Sequence, residues 1–201
     1  MNEKFFDLKK EKQDRMINAA LKEFALHGYR HATTDDMVRE ASISKGLLFH
    51  YFGNKLGVYT FVYEYSVRYM VLELGSTVSS KETDMFELLR QVEEARMHAM
   101  RGYPYMQQFL NRSEAEDVSE ALLAVEEKKA ALEDIYAEIY RRMNFEKLPA
   151  GLDGRKLCNM LELAIQGLMT QRFLDASFQP EMLYEEITDY LDMMKTLAYR
   201  S

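Results

Sequence analysis

Residues 33–55 read TTDDMVREASISKGLLFHYFGNK, and the fold is decided here. Thr33 or Thr34 caps a short helix, with Asp35 and Asp36 in its first turn, where unbonded N–H groups and partial positive charge favour acids. The helix ends near Ala41. Ala41, Ser42 and Ile43 make a turn, and Ser44 caps a second short helix whose inward positions are Leu48 and Phe52. Two short helices joined by such a turn form a helix-turn-helix pattern. The second helix of such a pair can present its N-terminal side chains to base edges in the major groove of DNA, while the first crosses the backbone. Three helix starts, Thr33-Thr34, Ser44-Lys45 and Asn54-Lys55, could each bind phosphate oxygens. The same residue types also serve as plain caps, and spacing alone does not choose between the two.

The pattern outward from this stretch is helical throughout. Ile17, Ala20, Leu21, Phe24 and Ala25 share one face of a helix from about Lys10 to Leu26, stopped by His27-Gly28. From the cap at Asn54, Val58, Phe61, Val62, Tyr65, Tyr69 and Leu72 recur at helical spacing. Further helices are expected from Asp84 to Arg101, Tyr105 to Asn111, Asp117 to Met143, Asp153 to Ala176, and Pro180, a first-turn proline, to Tyr199. The expected fold is all-α, with about nine helices: a DNA-binding helix-turn-helix domain over 1–55 and a helical ligand-binding and dimerisation domain over 56–201. With three prolines and nine glycines long helices are permitted, and no alternating β-branched runs support strands.

Composition narrows the function. The net charge is −7, yet residues 1–55 balance to +2 and residues 56–201 to −9, so overall acidity does not count against a polyanion partner at the N-terminal end. No leader pattern or bilayer-length apolar run is visible, and the one cysteine, Cys158, suits a reducing compartment, so the expected location is cytoplasmic. No membrane partner is expected. Enzymatic motifs are missing: His98 lies four residues after Glu94, not at the Glu-x-x-His spacing of a di-iron bundle, and no phosphate loop, zinc spacing or nucleophile elbow occurs. No cofactor and no metal are expected. Cys158, on an apolar helix, reads as a packed thiol.

The segments AALKEFALHGYRHATTDDMV and SISKGLLFHYFGNK together resemble the DNA-binding domain of the tetracycline-repressor (TetR) family of bacterial transcription regulators. The resemblance covers about residues 10–60. It implies that Thr33 and Thr34 touch phosphate, that Ser44, Lys45, Gly46 and Leu47 face the groove, and that His50, Tyr51 and Lys55 reach phosphates. Gly46 has a physical reason, since without a side chain the helix can lie close to DNA. Phe49 stands where tyrosine is common, Leu47 where a small or polar residue is common, and Ser42 replaces a turn glycine. Leu47 could contact only an apolar feature such as a thymine methyl, and Ser42 must accept a less comfortable backbone or the turn must differ slightly. Phe49 and Phe52 read as core.

The family resemblance further implies a homodimer formed by the last two helices, residues 153–177 and 180–199, an operator of double-stranded DNA, and a small-molecule inducer pocket. Fourteen methionines and thirteen tyrosines suit such a pocket or simply a core. Central positions on the middle helices nominate Arg96, Met97, Met100, Tyr103, Met106, Phe109, Tyr136, Tyr140, Met160, Gln166, Met169 and Phe173. The expected function is a sequence-specific repressor released by a largely apolar ligand. An all-α carrier or adaptor without DNA binding is the alternative, and the N-terminal motif is the feature that discriminates.

Overall fold

A computed structural model describes residues 3–175 and 177–199. Among these residues there are nine α-helices and no strand: α1 Lys10–His31, α2 Thr34–Ala41, α3 Lys45–Phe52, α4 Lys55–Thr77, α5 Met85–Gly102, α6 Met106–Glu114, α7 Ser119–Arg141, α8 Gly154–Arg172 and α9 Pro180–Ala198. The expected order holds, and most helix bounds agree within a few residues. The expected end of the eighth helix, Ala176, lies outside the described residues. Helix α1 continues to His31, but Gly28 at φ 65°, ψ 176° breaks its geometry at the expected stop. No described helix is long and apolar enough to cross a membrane.

The chain forms two compact units, Met1–Met70 with Gly102–Leu132, and Val71–Arg101 with Glu133–Ser201. Helices α4 and α7 contribute to both. In the first unit α1 packs along α2 and α6. Phe24 of α1, Tyr59 of α4 and Phe109 of α6 meet there, with ring centroids 5.0 Å (Phe24–Tyr59) and 5.6 Å (Tyr59–Phe109) apart. A 3-10 turn at Glu3–Asp7, which the pattern of apolar residues had not announced, buries Phe5 completely. Its ring packs 4.8 Å from Phe61 and 5.3 Å from Phe52. Gln13 fastens the turn by donating to the carbonyls of Phe6 and Leu8 at 3.0 and 2.7 Å.

In the second unit Asp84 caps α5 by accepting from the amides of Phe86 and Glu87. The same carboxylate takes Lys147 at 2.9 Å and the Tyr199 hydroxyl at 3.1 Å. Burial opposes its charge, but these bonds outweigh burial and hold its pKa below the ordinary value. Helix α8 buries Leu157, Cys158, Leu161, Ile165 and Met169, and α9 buries Leu183, Ile187 and Leu191. Both helices also carry outward apolar side chains: Met160, Leu163, Tyr190, Met193 and Leu197 are exposed, from 47% for Tyr190 to 61% for Leu163. The Cys158 thiol lies 3.6 Å from the Met143 sulfur, and burial pushes it up from 9.0 to about 12. The raised value makes the thiol's stabilising contribution complete below pH 9.0 and progressively lost as pH rises toward 12. A thiol reagent at pH 8 is therefore expected to label the folded protein far more slowly than the urea-unfolded chain, and equal rates would show that the thiol is open.

Candidate nucleic-acid interface

Local chemistry builds the two short helices as the sequence suggests. Thr33 is the N-cap of α2, accepting from the Asp36 amide at 3.1 Å, and its hydroxyl donates to the Asp36 carboxylate at 2.5 Å. That hydroxyl bond, with Arg39 alongside, keeps the Asp36 carboxyl below its usual range despite its desolvation. The Thr33 amide donates to Glu23 on α1 at 2.9 Å, which sets α2 against α1. Ser44 caps α3 by accepting from the Leu47 amide at 3.2 Å, and Asn54 accepts from the Gly57 amide at 2.8 Å at the start of α4. All three expected caps lie at helix starts.

The turn between α2 and α3 requires the left-handed conformation: Ser42 has φ 53°, ψ 52°, the only non-glycine residue with positive φ among those described. Serine tolerates this at a modest cost in backbone energy. Leu48 is buried to 2% exposure, so α3 is anchored by one side and offers Lys45, Gly46 and His50 outward. A Cβ on Gly46 would meet nothing within 4 Å; no intramolecular contact requires glycine here. Leu47 and Phe49 are half-buried, and Phe49 carries the Lys45 ammonium 5.9 Å from its ring centroid. Tyr51 is half-buried with its ring 5.8 Å from Phe5. Phe52 packs on Phe5 and Phe61, 4.8 Å from the latter.

Lys55 differs from the expectation of an outward phosphate contact. Its ammonium turns back to the end of α1, donating to the carbonyls of Tyr29 at 2.8 Å and Ala32 at 3.2 Å. It also lies 4.5 Å from the Tyr29 ring centroid. Carbonyls at a helix C-terminus lack intrahelical donors and attract a cation, so the lysine closes α1 and ties α4 to it. The junction is tight elsewhere too: a Cβ on Gly57 would fall 1.8 Å from the Phe52 carbonyl oxygen. Gly57→Ala is therefore expected to lower stability by roughly 2–3 kcal/mol, a melting shift of roughly 5–10 °C. A shift under one degree would mean that the turn adapts.

Sequence reasoning placed Asp35 and Asp36 at a helix start but missed the cations that the acids of this surface pair with. Asp35 bonds Lys45 at 2.8 Å, Glu40 bonds Lys22 at 2.7 Å, and Asp36 pairs with Arg39. The signal was present as DD and RE inside the quoted stretch, but the pairing partners lie on other helices or a turn away.

The nominated ligand residues fall into two groups. Tyr103, Met106 and Phe109 are buried in the first unit. Tyr103 donates to Asp14 at 2.7 Å, and its hydroxyl lies 2.6 Å from that of Tyr65. Phe109 belongs to the core under α1. In the second unit Met97, Met100 and Met169 are buried and Phe173 packs on Phe178, whereas Met160 and Gln166 are exposed on α8. Arg96, Tyr136 and Tyr140 come together: Arg96 bonds the Tyr136 hydroxyl at 3.2 Å, stands 5.3 Å from its ring centroid, and pairs with buried Glu93 at 2.5 Å. Tyr136 and Tyr140 stack at 6.1 Å. Burial works against the Arg96 charge, but Glu93 more than offsets it and keeps the guanidinium protonated. Among the described residues no group of three or more His, Cys, Asp or Glu could hold a metal.

Comparison with known proteins fits this geometry. Residues 16–59 match the family described as bacterial regulatory proteins, tetR family. No curated protein matches the chain by sequence. Among solved structures, a TetR family transcriptional regulator from Chloroflexus aurantiacus J-10-FL is similar at 20% identity and TM-score 0.63, covering 98% of this chain and 96% of that one. The fatty acid degradation regulator FadR from Bacillus halodurans is similar at 19% identity and TM-score 0.59, covering 89% and 96%. The TetR family regulator PfmR from Thermus thermophilus is similar at 18% identity and TM-score 0.54, covering 90% and 96%. At these identities the likeness is one of fold.

Proposed function

We propose that this chain, which belongs to the TetR family of bacterial transcription regulators by its N-terminal domain and its fold, is a cytoplasmic homodimeric repressor released from its operator by a small, largely apolar ligand. The observation that carries the DNA half is α3 itself, capped at Ser44 and anchored by Leu48, with Lys45, Gly46 and His50 outward after a left-handed turn at Ser42. Residues 1–55 serve as the DNA-binding domain and 56–201 as the ligand and dimerisation domain. Thr33, Thr34, His50 and Tyr51 act at phosphates, and Ser44, Lys45, Gly46 and Leu47 act in the groove. Lys55 acts on α1's carbonyls instead and supports the interface from behind.

One reading helix makes too few contacts for specific binding, and two related by a twofold axis read half-sites about 34 Å or more apart. The outward apolar faces of α8 and α9 suit a four-helix interface between two copies. For the ligand, the support is the Arg96–Glu93 pair: its charge is already balanced, so the cluster with Tyr136 and Tyr140 offers hydroxyls and ring faces rather than a free cation. Two copies whose α4 helices start at the DNA-binding domain and run unbroken from Lys55 to Thr77 can pass a shift at one end to the spacing of the reading helices.

The test is a gel shift with duplexes from the gene's own upstream region, followed by titration with apolar compounds that raise the melting temperature. Fatty acids belong among the first probes, because one similar structure is that of a fatty acid degradation regulator. A ligand is expected to weaken operator binding by a factor of about 5–150, the usual range of coupling, and the operator to weaken ligand binding by the same factor. Unchanged operator affinity at saturating ligand would remove the pocket as the switch.

A further inference from the structure

All five lysines and arginines between residues 22 and 55 are engaged within the chain. Lys22 pairs with Glu40 at 2.7 Å, Arg30 with Asp117 at 3.2 Å, Arg39 with Asp36, and Lys45 with Asp35 at 2.8 Å. Lys55 bonds carbonyls at the end of α1. The same stretch holds four carboxylates, Glu23, Asp35, Asp36 and Glu40. For a surface meant for a polyanion this is close to neutral. Its pairs are exposed: the Lys45 and Asp35 side chains keep 47% and 72% of their surface in solvent. Burial therefore does not explain why Asp35 stands beside the one cation at the start of the reading helix.

Binding to DNA of arbitrary sequence draws its free energy from cations that displace condensed counterions at phosphates. A lysine already neutralised by a carboxylate displaces few, because it must either leave its acid or carry that acid into the phosphate field. A guanine edge lessens this conflict, because it is neutral and its acceptors lie farther from the phosphates. It lies on the floor of the major groove and offers two acceptors to a lysine, and an ammonium has three donors, so Lys45 can keep Asp35 and still bond the base. Asp35 also sits in the first turn of α2, where the helix end favours its charge.

On the DNA-binding reading above, we propose that Asp35 is a specificity-determining residue: by holding Lys45 it suppresses binding to arbitrary sequence and leaves the ammonium for base edges. The acid thus acts through the lysine and touches no phosphate.

The experiment compares the full-length protein with Asp35→Asn, Lys45→Gln and the double variant, on a duplex that the unaltered protein selects from a random pool and on a random-sequence duplex. Asparagine keeps the size of the side chain and removes its charge, which also gives up the favourable position of that charge at the start of α2, so thermal melting checks that each variant is folded. Asp35→Asn is expected to raise affinity for the random duplex about tenfold at 50 mM salt while changing affinity for the selected duplex less than threefold. Freeing two lysines per dimer adds about 1.8 to the salt slope, so the gain falls about tenfold between 50 and 200 mM. The gain is expected to vanish when Lys45→Gln is combined with it. Equal rises on both duplexes, no change on the random duplex, or a gain that survives Lys45→Gln would each overturn the inference while leaving the DNA-binding reading intact. Failure of the unaltered protein to retain any duplex would overturn that reading, and this inference with it.

Discussion

Leu163→Arg is expected to turn a dimer into a monomer at micromolar concentration and to cut affinity for a two-half-site operator at least 100-fold. Leu163 is 61% exposed on α8, on the side away from the buried Leu157, Leu161 and Ile165. In a single chain the arginine stays in water, so the fold bears almost no penalty. In the proposed dimer the same position lies between helix pairs, where an unpaired charge costs several kcal/mol. Met160 on α8 and Tyr190, Met193 and Leu197 on α9 are likewise apolar and exposed, and none of these side chains can pair with the newcomer. Two linked reading heads gain roughly 10²–10⁴ in avidity over one, and the monomer forfeits that gain. Light scattering reads the mass and a gel shift reads the affinity. A dimeric Leu163→Arg variant, or a monomeric unaltered protein, would place the interface elsewhere or nowhere.

Lys55→Met is expected to lower stability by roughly 2–4 kcal/mol, with a melting shift of roughly 5–15 °C. Methionine retains the apolar stem and removes only the ammonium. Carbonyls of Tyr29 and Ala32 then lose charged donors at 2.8 and 3.2 Å, and the cation over the Tyr29 ring is lost as well. Those carbonyls sit at the kinked end of α1, beside the start of α2, so the loss loosens the reading head itself. The variant's operator affinity falls chiefly through that loosening, and the slope of affinity against salt stays near that of the unaltered protein. An unchanged melting temperature together with a flatter salt slope would return Lys55 to the phosphate contact that its position in the sequence suggests.

The contrast between Lys55 and its neighbours marks how far the sequence could be read. Thr33, Ser44 and Asn54 could be assigned as caps from sequence because each bonds an amide three residues on; the partners are built into the spacing. For Ser42 the family resemblance, with a glycine at this turn, left a strained backbone or an altered turn open, and the structure shows the left-handed backbone. The helix order and the stop at Gly28 follow from periodicity and backbone freedom, which are also local. Side-chain destinations over longer separations were another matter. The Lys55 ammonium bonds carbonyls 26 and 23 residues earlier, Phe5 packs on Phe61, and Phe109, nominated for a ligand pocket, lies against Phe24. Asp35 and Lys45 looked like a helix-start acid and a groove-facing base until the fold set them 2.8 Å apart. Caps are decided by bonds among residues a few positions apart, so the sequence carries them whole. Which cation meets which acid depends on how helices cross, and that is decided by the packing of every side chain between them.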